Sequence, residues 1–110
     1  MEPIDLGSYK SIYIKTAREY IKKMHTSLNE LSTDVSNKEA LNNLHIASHS
    51  LKSQSQVMGY NNIANICLNI ENASNDSLKG SNQLTADIIP NIKSLVKEIG
   101  EMLKQVQHYN

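Results

Sequence analysis

The sequence predicts an all-α protein, an antiparallel up-down bundle of four helices. Three observations carry that expectation. Apolar residues recur at three- and four-residue steps over four separate stretches. No stretch shows the apolar–polar alternation of a half-buried strand. Gly and Pro are scarce, four and two in 110 residues, and sit mostly between the periodic stretches, which implies long helices with short connections. A chain of this length fits one domain, residues 1–110, with a single modest core.

The first helix is expected over about Ser8 to Leu31. Tyr13, Ala17, Tyr20, Met24, Leu28 and Leu31 make its apolar stripe, and Lys10, Lys15, Arg18, Lys22 and Lys23 its wet side. The polar run Ser32 to Asn37 breaks the pattern. The second helix is expected over about Lys38 to Met58, capped by Ser36 or Asn37, with Glu39 at the positive end of its dipole. Leu41, Leu44, Ser48, Leu51, Ser55 and Met58 form its inner stripe. Small residues alternate with large ones there, so a neighbouring helix can approach closely. Gly59 suits the helix end.

The third helix is expected over about Asn61 to Ala73, with Ile63, Ile66, Ile70 and Ala73 inward. The polar stretch Ser74 to Gln83 is expected to be loop. The fourth helix is expected over about Thr85 to His108. Ile88, Ile92, Leu95, Ile99, Met102, Val106 and Tyr109 follow a strict four-three alternation, the clearest periodic signal in the chain. Pro90 lies in its first two turns, where a proline disrupts little or marks the true start.

Composition removes several function classes. Lys plus Arg equals Asp plus Glu, so the net charge is zero and nothing drives the chain toward nucleic acid or an acidic membrane. Five Tyr, with no Trp and no Phe, are too few for a base-stacking surface. Cys67, the one cysteine, can form neither an internal disulfide nor a thiolate zinc cluster, and a reducing cytoplasmic setting is expected. The polar segment Met1 to Lys10 does not look like a signal peptide, and no apolar run is long enough to span a membrane. Neither GxGxxG nor GxxxxGK[ST] occurs, so the chain is not expected to bind ATP by itself.

The residues of interest lie off the apolar stripes. His49 sits on the flank of the second helix, with Lys52 three residues on and His45 four residues back, all on one side. An imidazole beside an ammonium suits the holding of an anion. A nucleophilic imidazole must be neutral, with its proton held on the other nitrogen. Glu71, on the flank of the third helix, is the only acidic residue between Glu39 and Asp76, and is the best candidate for that task. On spacing alone such a pair is more often a solvated helix face than a site. His45 and His49 could also clamp a metal, but Ile46, Ala47 and Ser48 lie between them without the glutamate of a metalloprotease, and no third ligand is in view. His25 and His108 read as surface residues, and Cys67 as a small core residue.

The stretch Ala47-Ser48-His49-Ser50-Leu51-Lys52-Ser53-Gln54-Ser55-Gln56-Val57-Met58-Gly59 resembles the signature of histidine-containing phosphotransfer domains: His, any residue, Leu or Ile, Lys, Gly, with a further Gly downstream. The nearest resemblance is to the N-terminal domains of CheA-type chemotaxis histidine kinases. It covers nearly the whole chain, through the tyrosine-bearing first helix, the third helix with its Glu71, and Gln83-Leu84-Thr85-Ala86-Asp87-Ile88-Ile89 at the fourth. The resemblance implies that His49 is phosphorylated through Nε2, that Lys52 steadies the phosphoryl group, that Glu71 bonds the other ring nitrogen, and that Gly59 closes the His helix. Two departures stand out. Ser53, followed by Gln54, replaces the glycine after the motif, and Leu68 stands where a second histidine often occurs.

The resemblance further implies a carrier without its own cofactor: a histidine kinase catalytic domain supplies ATP and Mg²⁺, and the receiver domain of a response regulator takes the phosphoryl group on an aspartate. Met1 and the resemblance together suggest the N-terminal module of a larger chemotaxis-like kinase, with a free-standing phosphorelay protein as the nearest alternative. The isolated domain is expected to be monomeric. A different class, a docking module whose phosphorylation has been lost, has only Ser53 and Gln54 in its support.

Overall fold

A computed structural model describes residues 6–108 of the chain; Tyr109, the last residue of the expected fourth stripe, and the segment 1–5 lie outside the described residues. Four helices follow one another: α1 (Leu6–Thr33), α2 (Lys38–Val57), α3 (Asn61–Lys79) and α4 (Ile89–His108). They form an antiparallel up-down bundle about 50 Å long and 24 by 19 Å across. Among the described residues each helix packs on its two ring neighbours, most extensively α2 on α3 and least α3 on α4.

The stripes of α1 and α2 face the axis as their spacing demands. Ala17, Met24, Leu28 and Leu31 of α1 and Leu41, Leu44, Leu51 of α2 are buried together. Asn37 caps α2, its Oδ1 accepting from the Ala40 N–H at 3.0 Å. The buried serines are satisfied. Ser48 donates to the Leu44 carbonyl at 2.8 Å, and Ser55 shares a 2.7 Å bond with the Tyr13 hydroxyl. At the end of α2, Gly59 adopts a left-handed φ of 80°. Its N–H reaches the Gln56 carbonyl and the Tyr60 N–H the Ser55 carbonyl, which closes the helix as a Schellman motif. The Tyr60 ring then lies 5.1 Å from that of Tyr13, so the turn packs onto the core.

Three expectations are corrected. First, α3 continues to Lys79, where a loop was expected from Ser74. Ser74 is buried with its hydroxyl donating back to the Glu71 carbonyl at 2.9 Å, and Leu78 packs against the core, so the inner stripe runs Ile70, Ser74, Leu78. Gly80, at a φ of 77°, ends the helix with a second Schellman pair. Tertiary burial therefore overrides the weak helix propensity of Asn, Asp and Ser.

Second, α4 begins at Ile89 and not at Thr85. Pro90 has no N–H to bond one turn back, so it fits only in a first turn, where that donor would be unmatched. The Ile92 N–H to Ile88 carbonyl bond, 3.1 Å, opens the helix.

Third, the buried row of α4 is Ile89, Ile92, Val96, Ile99 and Leu103. Leu95, Met102 and Val106 are only partly buried and Ile88 is exposed. The α4 apolar face is two rows wide, and both rows alternate three and four residues. Periodicity cannot choose between them; the position of α1 and α3 does.

Leu51 lies between His49 and Lys52 in sequence and is fully buried beneath them. Leu51→Ala should lower the unfolding free energy by about 2–5 kcal/mol in urea denaturation, with little change in the slope.

Candidate functional site

The seam between α2 and α3 brings the three sequence-derived residues together. Position 49 follows the buried Ser48, so its side chain leaves the core and emerges from the outer face of α2 with 55% of its surface exposed. Glu71 follows the buried Ile70 on α3 and comes to the same seam, 13% exposed. Its Oε2 lies 2.8 Å from His49 Nδ1. Lys52, 17% exposed, places Nζ 2.6 Å from the other oxygen, Oε1. One carboxylate thus holds both α2 side chains.

Burial of Glu71 works to raise its carboxyl pKa. The hydrogen bonds from Lys52 and His49, and the charges of both, work the other way and prevail, so it lies below the ordinary carboxylate value. An ionised Glu71 accepts and cannot donate, so His49 Nδ1 carries the proton facing it. In a neutral ring the lone pair then falls on Nε2, the nitrogen turned away from Glu71. In that tautomer the arrangement presents the Nε2 lone pair on the exposed face of α2.

The remaining neighbours complete the surface. His45 stacks near His49, with ring centroids 6.3 Å apart and planes 21° from parallel. Ile46, three residues before His49 on α2, and Leu68, three before Glu71 on α3, are both exposed apolar residues. Gln54 is turned toward α1, donating to the Tyr20 hydroxyl at 3.4 Å. The expectation that the ammonium lies simply beside the imidazole is refined: Lys52 reaches across to α3. The i, i+3 spacing shows that the two share a side of α2, but only the tertiary structure shows what lies between them.

Other nucleophiles are silent. Burial pushes the Cys67 thiol up to about 12, with the Glu71 charge adding to that and Lys52 opposing it, so it stays a thiol. Burial likewise pushes the Tyr13 hydroxyl to about 12, against its bond with Ser55. His25 and His108 are exposed and stand apart from the seam. Among the described residues no group of three or more His, Cys, Asp or Glu side chains is placed to hold a metal ion. No described helix is long and apolar enough to cross a membrane.

Comparison with known proteins agrees with this picture. The family profile of the Hpt domain matches residues 8–109. Chemotaxis protein CheA of Halobacterium salinarum is 22% identical over 102 residues, which is 93% of this chain and 15% of that protein. Chemotaxis protein CheA of Bacillus subtilis is 21% identical over 103 residues, 94% of this chain and 15% of that protein. The chain therefore spans about 15% of the length of these two relatives. Among solved structures, the CheA phosphotransferase domain from Thermotoga maritima superposes with a TM-score of 0.85 at 24% identity, over 90% of this chain and 94% of that one. A solution NMR structure of a protein with a redesigned hydrophobic core gives a TM-score of 0.84 at 20% identity, over 98% and 95% of the two chains.

The lowered Glu71 pKa fixes the sign of a stability effect. A carboxyl depressed on folding contributes stability that is fully present above its unfolded value, about 4.5, and is lost as the pH falls through the lower folded value. Glu71→Gln should therefore be less stable than the wild type at pH 7, and the difference should shrink toward pH 3. Denaturant titrations of both proteins at the two pH values measure it.

Proposed function

The chain belongs to the Hpt domain family, the histidine phosphotransfer domains, and from that membership we propose that His49 is its phosphoacceptor. The observation that supports this reading is the His49 Nδ1 to Glu71 Oε2 bond of 2.8 Å on an exposed helix face, which in the neutral ring places the lone pair on Nε2, away from Glu71.

The chemistry follows from that tautomer. Nε2 attacks the γ-phosphorus of ATP in line; an N–P bond forms as the P–O bond to ADP breaks, and ADP leaves with the Mg²⁺ held by the kinase catalytic domain. The ring gains positive character while its proton stays on Nδ1. Glu71 opposes that charge without moving. In the second step a carboxylate oxygen of a receiver-domain aspartate attacks the same phosphorus. The N–P bond breaks, an acyl phosphate forms, and His49 returns to its neutral state. Lys52, tied to Glu71 at rest, lies one turn from His49 and serves the added phosphate charge.

Both partners are proteins: a histidine kinase catalytic domain and a response regulator. ATP and Mg²⁺ belong to them, so the domain is a substrate and carrier rather than an independent catalyst. The half-exposed ring offers approach to each in turn, and the exposed apolar Ile46 and Leu68 on the same two helices suit transient docking.

Incubation with an active CheA-type kinase domain and γ-labelled ATP should yield acid-labile, alkali-stable label on the wild type and none on His49→Gln. An unlabelled wild type, with the kinase active on another Hpt domain, would favour the docking module instead. Glu71→Gln should keep the label but slow its appearance roughly 10- to 100-fold, as loss of a charge-assisted hydrogen bond of about 1.5–3 kcal/mol predicts.

A further inference from the structure

We propose that His45 is a positioning residue for His49, acting through ring stacking rather than through its own nitrogens; this rests on the reading of His49 as the acceptor. The His49 ring is held by a single hydrogen bond, at Nδ1, and its side chain is 55% exposed. One bond fixes a point on the ring and leaves its plane free to tilt, because the torsion that sets an imidazole plane is soft. The group that limits the tilt is His45, one helical turn back, with centroids 6.3 Å apart and planes within 21°. Those values fall inside the range of stacked aromatic pairs.

His45 Nδ1 identifies the mode of action. That atom is shut off from solvent and meets no hydrogen-bond partner among the described residues. A buried ring N–H without an acceptor costs more than a bare ring nitrogen, so the neutral ring carries its proton on Nε2. No hydrogen bond at Nδ1 holds the His45 ring in place; packing does. The inner edge of the ring works as an apolar surface would, and a phenyl ring should replace it without leaving a polar group stranded.

This differs from Glu71, which sets the tautomer of His49. His45 sets the plane in which the Nε2 lone pair lies, and in-line transfer depends on that plane. It is also specific to the tertiary arrangement. An i, i+4 pair of histidines on an open helix is free to splay, whereas here Glu71 pulls one ring toward α3 and packing holds the other.

The test compares the wild type, His45→Phe, His45→Leu and His49→Gln as full chains. Leucine keeps apolar volume but removes the planar ring. Long-range ¹⁵N–¹H NMR reads the imidazole tautomers, and labelled phosphotransfer reads the rate. His45 in the wild type should show the Nε2–H tautomer. His45→Leu should slow labelling roughly threefold to tenfold, short of the hundredfold that a 1 Å misplacement can cause. It should also shift the His49 ring resonances while leaving its Nδ1–H tautomer in place, because Glu71 still holds that proton. His45→Phe should restore the rate to within about twofold, and its thermal midpoint should equal or exceed that of the wild type. A wild-type rate with unshifted His49 ring resonances in the leucine variant would overturn the proposal. So would a folded phenylalanine variant as slow as leucine, since the imidazole N–H would then be the acting group. Persistent label on His49→Gln would instead overturn the acceptor reading, and the His49 ring shifts in His45→Leu would still report whether the rings are stacked.

Discussion

Glu71 engages two groups at once, accepting from His49 Nδ1 at 2.8 Å and forming an ion pair with Lys52 Nζ at 2.6 Å, and both belong to the neighbouring helix. The rest of the site depends on that double contact. A carboxylate with little solvent is costly unless its oxygens are bonded, and here each oxygen has a cationic or N–H donor. The same contact ties α2 to α3 at the level of the site and decides which nitrogen of His49 faces outward. A glutamine at position 71 would fill the same space, yet it could present either an acceptor or a donor to the ring.

The contact is possible only because α2 and α3 pack closely, as the most extensive interface of the bundle. The residues along that seam are small where the backbones must approach. Ser48 and Ser55 on α2 and Ala64 and Cys67 on α3 are buried, and each serine hydroxyl is satisfied within the fold. Beneath the site Leu44, Leu51 and Ile70 are fully buried and leave the surface residues no room to shift inward. The result is a half-exposed imidazole on the outer face of α2 above a packed core. Such a shape suits the proposed transfer of a phosphoryl group from one large partner to another. Solvent exclusion and metal binding are then tasks for the partners.

Two helices were readable from spacing almost to the residue, and two were not, for different reasons. In α1 and α2 the apolar stripe is flanked mostly by charged or polar residues, so one face is favoured to turn inward. In α4 two adjacent rows are equally regular, and the buried one is set by where α1 and α3 stand. In α3 the segment from Ser74 to Lys79 is polar enough to read as loop, but Leu78 and the buried Ser74 continue the inner face to a left-handed Gly80. A glycine that follows a lone leucine at the right step was the one local sign of this.

The sequence by itself determined the fold class, the four segments, and the residues from which the site is made, because helical periodicity and the order His49, Lys52, Gly59 are local properties of the chain. It placed His49, Lys52 and His45 on one side of α2 and nominated Glu71 as the nearest carboxylate. It could not show that Lys52 bonds Glu71 before anything else, nor that one edge of His45 is sealed from water. Those facts depend on the separation and rotation of α2 against α3. Side chains far apart in sequence meet only once that packing is set, so the tertiary structure alone decided how the charges pair and which way the rings face.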